Sequence, residues 1–191
     1  MEKLVLASSS PRRSEILRQM GLSFTVIHAT VDERLDPTVD PLALARNIAE
    51  RKMADVASRI PEGIWVLGAD TFIVFSGRYL GKPRDREDAG QMISLLSGET
   101  HQVITGLALR DGAGGVTTAH AVTDVTFRSL KPREIEWYLS TDEWRGVAAA
   151  YRIQERGACL VRSIKGSPSN VVGLPIHLFY GMLIHTQYPF S

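Results

Sequence analysis

The chain has 191 residues, and its 22 Lys and Arg nearly cancel its 21 Asp and Glu, leaving a formal net charge of +1. With 44% hydrophobic and 23% charged residues it has the composition of a folded globular protein, which excludes disorder as its dominant state. The near-neutral charge argues against polymeric nucleic acid or an anionic membrane surface as a partner, since both reward a basic excess. A small anionic ligand met by a local cluster stays open.

A single cysteine, Cys159, leaves no intramolecular disulfide and no Cys-based zinc site. It lies in the apolar run at 158–161, which predicts a buried thiol. No apolar stretch approaches the roughly 18 to 20 residues of a membrane-spanning helix. The N-terminus places Glu2 and Lys3 before a short apolar run, unlike a signal peptide, so the cytoplasm is the expected location.

In chain order, residues 4–7 predict a short buried strand leading into Ser8-Ser9-Ser10-Pro11-Arg12-Arg13. Ser10 suits an N-cap and Pro11 the first helical position, with Gly21 as the stop. A second strand is expected at 24–27, followed by a polar loop carrying Asp32 and Glu33. Asp40-Pro41 opens a helix whose Ala45, Ile48, Ala49, Met53 and Val56 share one apolar face. A strand is expected from 64 through 75, turning at Ser76-Gly77. Asp85 caps a helix that ends at Gly98. Two long strand-like runs, 100–110 and 116–127, flank the glycine-rich segment 111–115 and predict a hairpin. A helix at 132–140, a strand at 158–164 and a final helix at 175–183 complete the pattern. Interleaved strands and helices with one long hairpin predict an α/β fold built on a mixed central β-sheet flanked by helices.

Four segments carry candidate chemistry. At residues 8–13 three serines and two arginines meet a predicted helix N-terminus, where free backbone N–H groups favour an anion. A serine-rich cap with two solvated arginines fits the same pattern. Asp70, in Gly68-Ala69-Asp70-Thr71, follows an apolar strand, where ligands of α/β proteins gather; taken alone, the segment reads more readily as an acid opening a turn. Lys82, in Gly81-Lys82-Pro83-Arg84-Asp85, suits a phosphate-binding point charge or a solvated loop. The segment is not a Walker A loop, since Pro83 stands where Ser or Thr would hold magnesium. Asp32-Glu33 suits a hard cation or simply a polar loop. The histidines show no metal-ligand spacing. Together these carboxylates and cations point to metal-dependent phosphate chemistry.

The same residues resemble the Maf family of nucleoside triphosphate pyrophosphatases. The likeness runs through Leu6 to Arg13, Val31-Asp32-Glu33, Ala49-Glu50-Arg51-Lys52, Gly68 to Thr71, Gly81 to Asp85, His101-Gln102-Val103, Tyr151-Arg152-Ile153-Gln154 and Val172-Gly173-Leu174-Pro175. It covers residues 4 to about 183 in order and spacing, so it implies a single Maf-like pyrophosphatase domain over 1–191. It implies an elongated, two-lobed fold sharing one sheet, related to the inosine triphosphatases, with a cleft between the lobes.

The implied activity is hydrolysis of a nucleoside triphosphate to the monophosphate and pyrophosphate with a divalent cation, Mg2+ or Mn2+. By position, Ser10, Arg13, Lys52 and Lys82 match the family's phosphate-binding residues. Glu33 and Asp70 match its acidic, metal-positioning residues, and Asp70 its proton acceptor. Arg12, Thr71 and Gln154 match the subgroup acting on dTTP and UTP, which implies those substrates, modified pyrimidine nucleotides and a role in cleansing the nucleotide pool. Val147 and Glu155 replace a Lys and a Gly of the usual pattern near the expected base pocket. The resemblance also suggests a homodimer. The rival reading is an interaction protein that regulates septum formation or division, binding nucleotide with little turnover. No function is read for residues 184–191.

Overall fold

The computed structural model describes residues 3–190. Strand β1 (Leu4–Ala7) is buried along its whole length, as an unalternating apolar run demands. It pairs in parallel with the two-residue β2 (Thr25–Val26) on one side and with β3 (Trp65–Phe75) on the other. A short β4 (Arg78–Leu80) folds back antiparallel on β3 through Ser76 and Gly77. Both turn residues have positive φ, 48° and 74°, as a two-residue hairpin connection requires. β5 (Thr100–Arg110) and β6 (Val116–Phe127) follow, and β7 (Val161–Lys165) pairs antiparallel with β6. The order β2-β1-β3-β5-β6-β7, with β4 on β3, makes a seven-stranded mixed sheet, as expected.

Helices α1 (Pro11–Gln19), α2 (Pro41–Ala57), α3 (Arg86–Leu96), α4 (Pro132–Leu139), α5 (Pro168–Val172) and α6 (Ile176–His185) flank it. Asp40 and Asp85 cap α2 and α3, their carboxylates accepting from the backbone N–H of Ala43 and Asp88. Ser10 occupies the N-cap position of α1, but its side chain makes no capping bond.

Three further expectations shift. The second strand shrinks to Thr25–Val26. Residues 158–160 belong to a 3-10 helix (Arg156–Leu160) instead of to β7. There Cys159 is exposed, because a 3-10 turn cannot bury every member of the apolar run. β4 and α5 are too short for periodicity to register.

The chain divides into two compact units. The first holds Thr71 and the residues before it, 105–121 and the segment from Gly173 onward. In its core Val5, Ala7 and Val66 pack with Ala49, Met53 and Val56 of α2. Two glycines let α2 lie directly on the sheet. A Cβ on Gly68 would collide with the Ala49 carbonyl, and one on Gly106 with the Ala45 carbonyl. The second unit holds 72–104 and 122–172. Its core joins Ile93 and Leu96 of α3 to Phe127, Tyr138, Trp144 and Tyr151. His101, Phe127 and Tyr151 meet pairwise edge to face, with centroids 4.9 to 5.4 Å apart.

Candidate active site

Strand alternation and the close seating of α2 place the first group. Gly68 faces α2 between Ala49 and Met53, so Asp70, two residues on, faces the same way. Lys52 lies on that side of the helix and its ammonium donates to Asp70 Oδ1 at 2.7 Å. The same ammonium pairs with Glu33 Oε1 at 2.8 Å, from the irregular segment after β2. The side chains of Lys52 and Asp70 are 7% and 9% exposed, against 57% for Glu33. A buried cation thus engages one oxygen from each of two carboxylates.

Thr71 leaves the strand on the opposite face and belongs to a second group. Arg13, from the first turn of α1, is buried. Its Nη1 donates to Ser8 Oγ at 2.8 Å, its Nε to the Gly173 carbonyl at 2.8 Å and its Nη2 to Thr71 Oγ1 at 3.0 Å. These partners are neutral oxygens, so they orient the guanidinium without cancelling its charge. Burial pushes the Arg13 pKa below its usual value; Asp70 opposes that shift, and the charge of Arg12 adds to it. A buried guanidinium held by dipoles alone is costly unless an anion completes it.

Ser10 is half-buried, and its backbone N–H donates to Ser8 Oγ at 3.2 Å. Arg12 is half-buried beside Arg13. Lys82 and Gln154 belong to the second unit. Lys82 is exposed just after β4, next to Gly81, whose carbonyl accepts from the Ala149 N–H at 2.9 Å. Gln154 is exposed in the turn before the 3-10 helix, and Glu155 lies within 3.5 Å of Arg152 there. Val147 is buried, so an apolar side chain suits its place.

The sequence offered Glu33, Lys52 and Asp70 as separate candidates, and their direct contact is a tertiary result. It held Ser8 only as one of three serines ahead of α1, and it gave no sign of Thr105 or the Gly173 carbonyl. Ser8 carried a signal, being the hydroxyl that ends a fully apolar strand. A threonine inside β5 and a backbone carbonyl carried none.

A model of the Maf-like protein family matches residues 3–186. The chain belongs to the Maf family. It is 47% identical to the dTTP/UTP pyrophosphatase of Symbiobacterium thermophilum, over 99% of this chain and 96% of that protein. It is 44% identical to proteins of the same name from Lacticaseibacillus casei, over 95% and 97% of the two chains, and Yersinia pestis, over 97% and 93%. The fold is similar to that of the Staphylococcus aureus Ham1 protein, with a TM-score of 0.51 at 13% identity over 95% of this chain and 98% of the other.

Proposed function

We propose that this protein hydrolyses nucleoside triphosphates to the monophosphate and pyrophosphate, with dTTP and UTP as preferred substrates. The observation that carries the reading is the buried Lys52 joined to Glu33 and Asp70, next along the strand from the Thr71 that holds Arg13. Cations for a polyphosphate and carboxylates for a metal and a water lie in one unit. The names of its relatives support the substrate choice.

The donor set fits a divalent cation. Glu33 and Asp70 offer hard carboxylate oxygens, which suit Mg2+ or Mn2+. Among the described residues no group of three or more His, Cys, Asp and Glu gathers. Two carboxylates would hold such an ion if phosphate and water completed its shell. When bound, such an ion neutralises phosphate oxygens and supports charge on the departing pyrophosphate.

Asp70 accepts the proton of the attacking water as its oxygen bonds to the α-phosphorus. The bond from the α-phosphorus to the bridging oxygen breaks, and pyrophosphate leaves with the electron pair. Arg13, Lys52 and Ser10 hold phosphate oxygens, and Lys82 is a further proposed phosphate cation. Arg12 and Gln154 are the proposed base-selecting side chains. A glutamine amide offers both a donor and an acceptor, which suits a pyrimidine edge.

Pyrophosphate release is measured from the natural nucleoside triphosphates and 7-methyl-GTP, with Mg2+ or Mn2+. Release is expected chiefly from dTTP and UTP and is lost in Asp70→Asn. A folded wild-type protein that releases pyrophosphate from none of them overturns the proposal.

A further inference from the structure

Gln154 stands exposed on a turn that the second unit anchors from within. The Glu155 N–H closes the turn on the Arg152 carbonyl at 3.3 Å. Gly157 packs behind it, where a Cβ would come within 2.4 Å of the same carbonyl. Two buried phenols hold the entry to the turn. The Tyr151 hydroxyl lies 2.8 Å from His101 Nε2, and the Tyr138 hydroxyl accepts from the Arg152 N–H at 3.3 Å. Just before them, Ala149 and Ala150 are wholly buried with positive φ, 53° and 62°. That conformation is costly for alanine and persists only where the surroundings fix it. The Ala149 N–H donates to the carbonyl of Gly81, the neighbour of Lys82, at 2.9 Å.

We infer that Tyr151, oriented by His101, and Tyr138 are positioning residues for Gln154: their hydroxyls fix the turn so that the glutamine amide meets the base in one orientation. The inference rests on the reading that Gln154, alongside Arg12 and Thr71, selects the base. Packing alone does not call for these hydroxyls. A phenylalanine at 138 or 151 fills nearly the same space without burying a polar atom, and apolar replacement of a buried pair is often close to neutral. A satisfied polar network instead selects one arrangement among several that pack equally well. An amide carries a donor and an acceptor side by side, so it discriminates between bases only when its orientation is held. Residues 149, 151 and 152 are each tied to a different part of the second unit, which leaves the turn little freedom to swing.

The test is a double-mutant cycle read as the dTTP-to-GTP ratio of kcat/KM, with thermal melting to show that each variant is folded. Tyr151→Phe is expected to lower the ratio about fivefold and Tyr138→Phe about threefold. The loss falls on dTTP and leaves kcat/KM for GTP unchanged. In a Gln154→Ala background neither substitution lowers the ratio further, because the side chain they position is gone. A merely structural loosening would lower both substrates alike and would add to Gln154→Ala. Where Tyr151→Phe does not fold, Tyr138→Phe decides. A wild-type ratio in the phenylalanine variant beside a lowered one in Gln154→Ala overturns this inference alone, as does an equal loss on both substrates or a further drop in the Gln154→Ala background. A wild-type ratio in Gln154→Ala, or wild-type protein with no preference for dTTP over GTP, overturns the base-selecting reading and this inference with it.

Discussion

The two units bury polar groups in opposite ways. In the first, the buried polar side chains include the charged Arg13, Lys52 and Asp70. In the second, the described buried polar side chains are His101, Thr123 and Asn170, which pair as neutral dipoles. Asn170 Nδ2 donates to the Val103 carbonyl and to Thr123 Oγ1, both at 3.0 Å. His101 Nε2 lies 2.8 Å from the Tyr151 hydroxyl, and burial lowers the His101 pKa to about 4, so the ring is neutral at physiological pH. Buried ions are poor stabilisers, because desolvation offsets much of their attraction. A fold that needed only stability would use the second unit's arrangement throughout. The difference sets a unit with buried ions apart from one whose interior is neutral and aromatic.

The largest expected effect tests that division directly. Asp70→Asn should lower turnover by about a thousandfold, since it removes the proposed proton acceptor while keeping the shape. Much of the nucleotide affinity should survive, as read by binding of dTTP in Mg2+. Its melting temperature should move little next to the core variants, because Lys52 keeps Glu33. A rate near wild type would remove Asp70 from the chemistry.

Phe127→Ala should do the reverse. It empties the centre of the His101–Phe127–Tyr151 cluster and should cost about 3 to 4 kcal/mol in urea unfolding. A cost below about 1 kcal/mol would mean that the cluster is not the cohesive element of its unit.

The next effect is a pH dependence. His101 titrates near 6.5 when unfolded and near 4 when folded, so the unfolded chain binds the extra proton between those values. Stability from this group is therefore complete above pH 6.5 and falls as pH drops toward 4, by about 3 kcal/mol. Burial raises the pKa of the facing Tyr151, so its phenol stays protonated across that window. Chemical unfolding at pH 7 and 4.5 in wild type and His101→Gln reads this directly, and an equal slope in both proteins would rule it out.

The smallest effect is local. Ser76→Asn places a residue that tolerates positive φ before Gly77 and should stabilise the protein by about 0.5 kcal/mol, with dTTP turnover unchanged. A destabilised variant would show that Ser76 has a packing role beyond the turn.

Much of this architecture was legible in the chain. The run at 4–7, the Asp-capped starts of α2 and α3 and the hairpin at 111–115 each carry a local signal strong enough to predict the element. Where signals were local but weak, the reading drifted: β2 shortened, β7 moved along the chain and Cys159 turned outward. The charged residue types of the candidate site were legible too, and the sequence pattern put them at or near element ends; Arg13 does lie in the first turn of α1, but Lys52 lies inside α2 and Asp70 in the middle of β3, which runs unbroken from Trp65 to Phe75.

The sequence by itself determined the element order, the mixed α/β class and the residue types available for phosphate chemistry, since these follow from periodicity, capping and charge along the chain. Only the tertiary structure decided which of those residues meet. Asp70 and Thr71 are neighbours in sequence, yet strand alternation sends one to Lys52 and Glu33 and the other to Arg13 and Thr105. The missing side chains of Gly68 and Gly106 set the depth at which α2 rests on the sheet, and thereby bring Lys52 within reach of Asp70. The carbonyl of Gly173 reaches Arg13 across 160 residues of chain, a contact made by backbone folding that no side-chain pattern encodes.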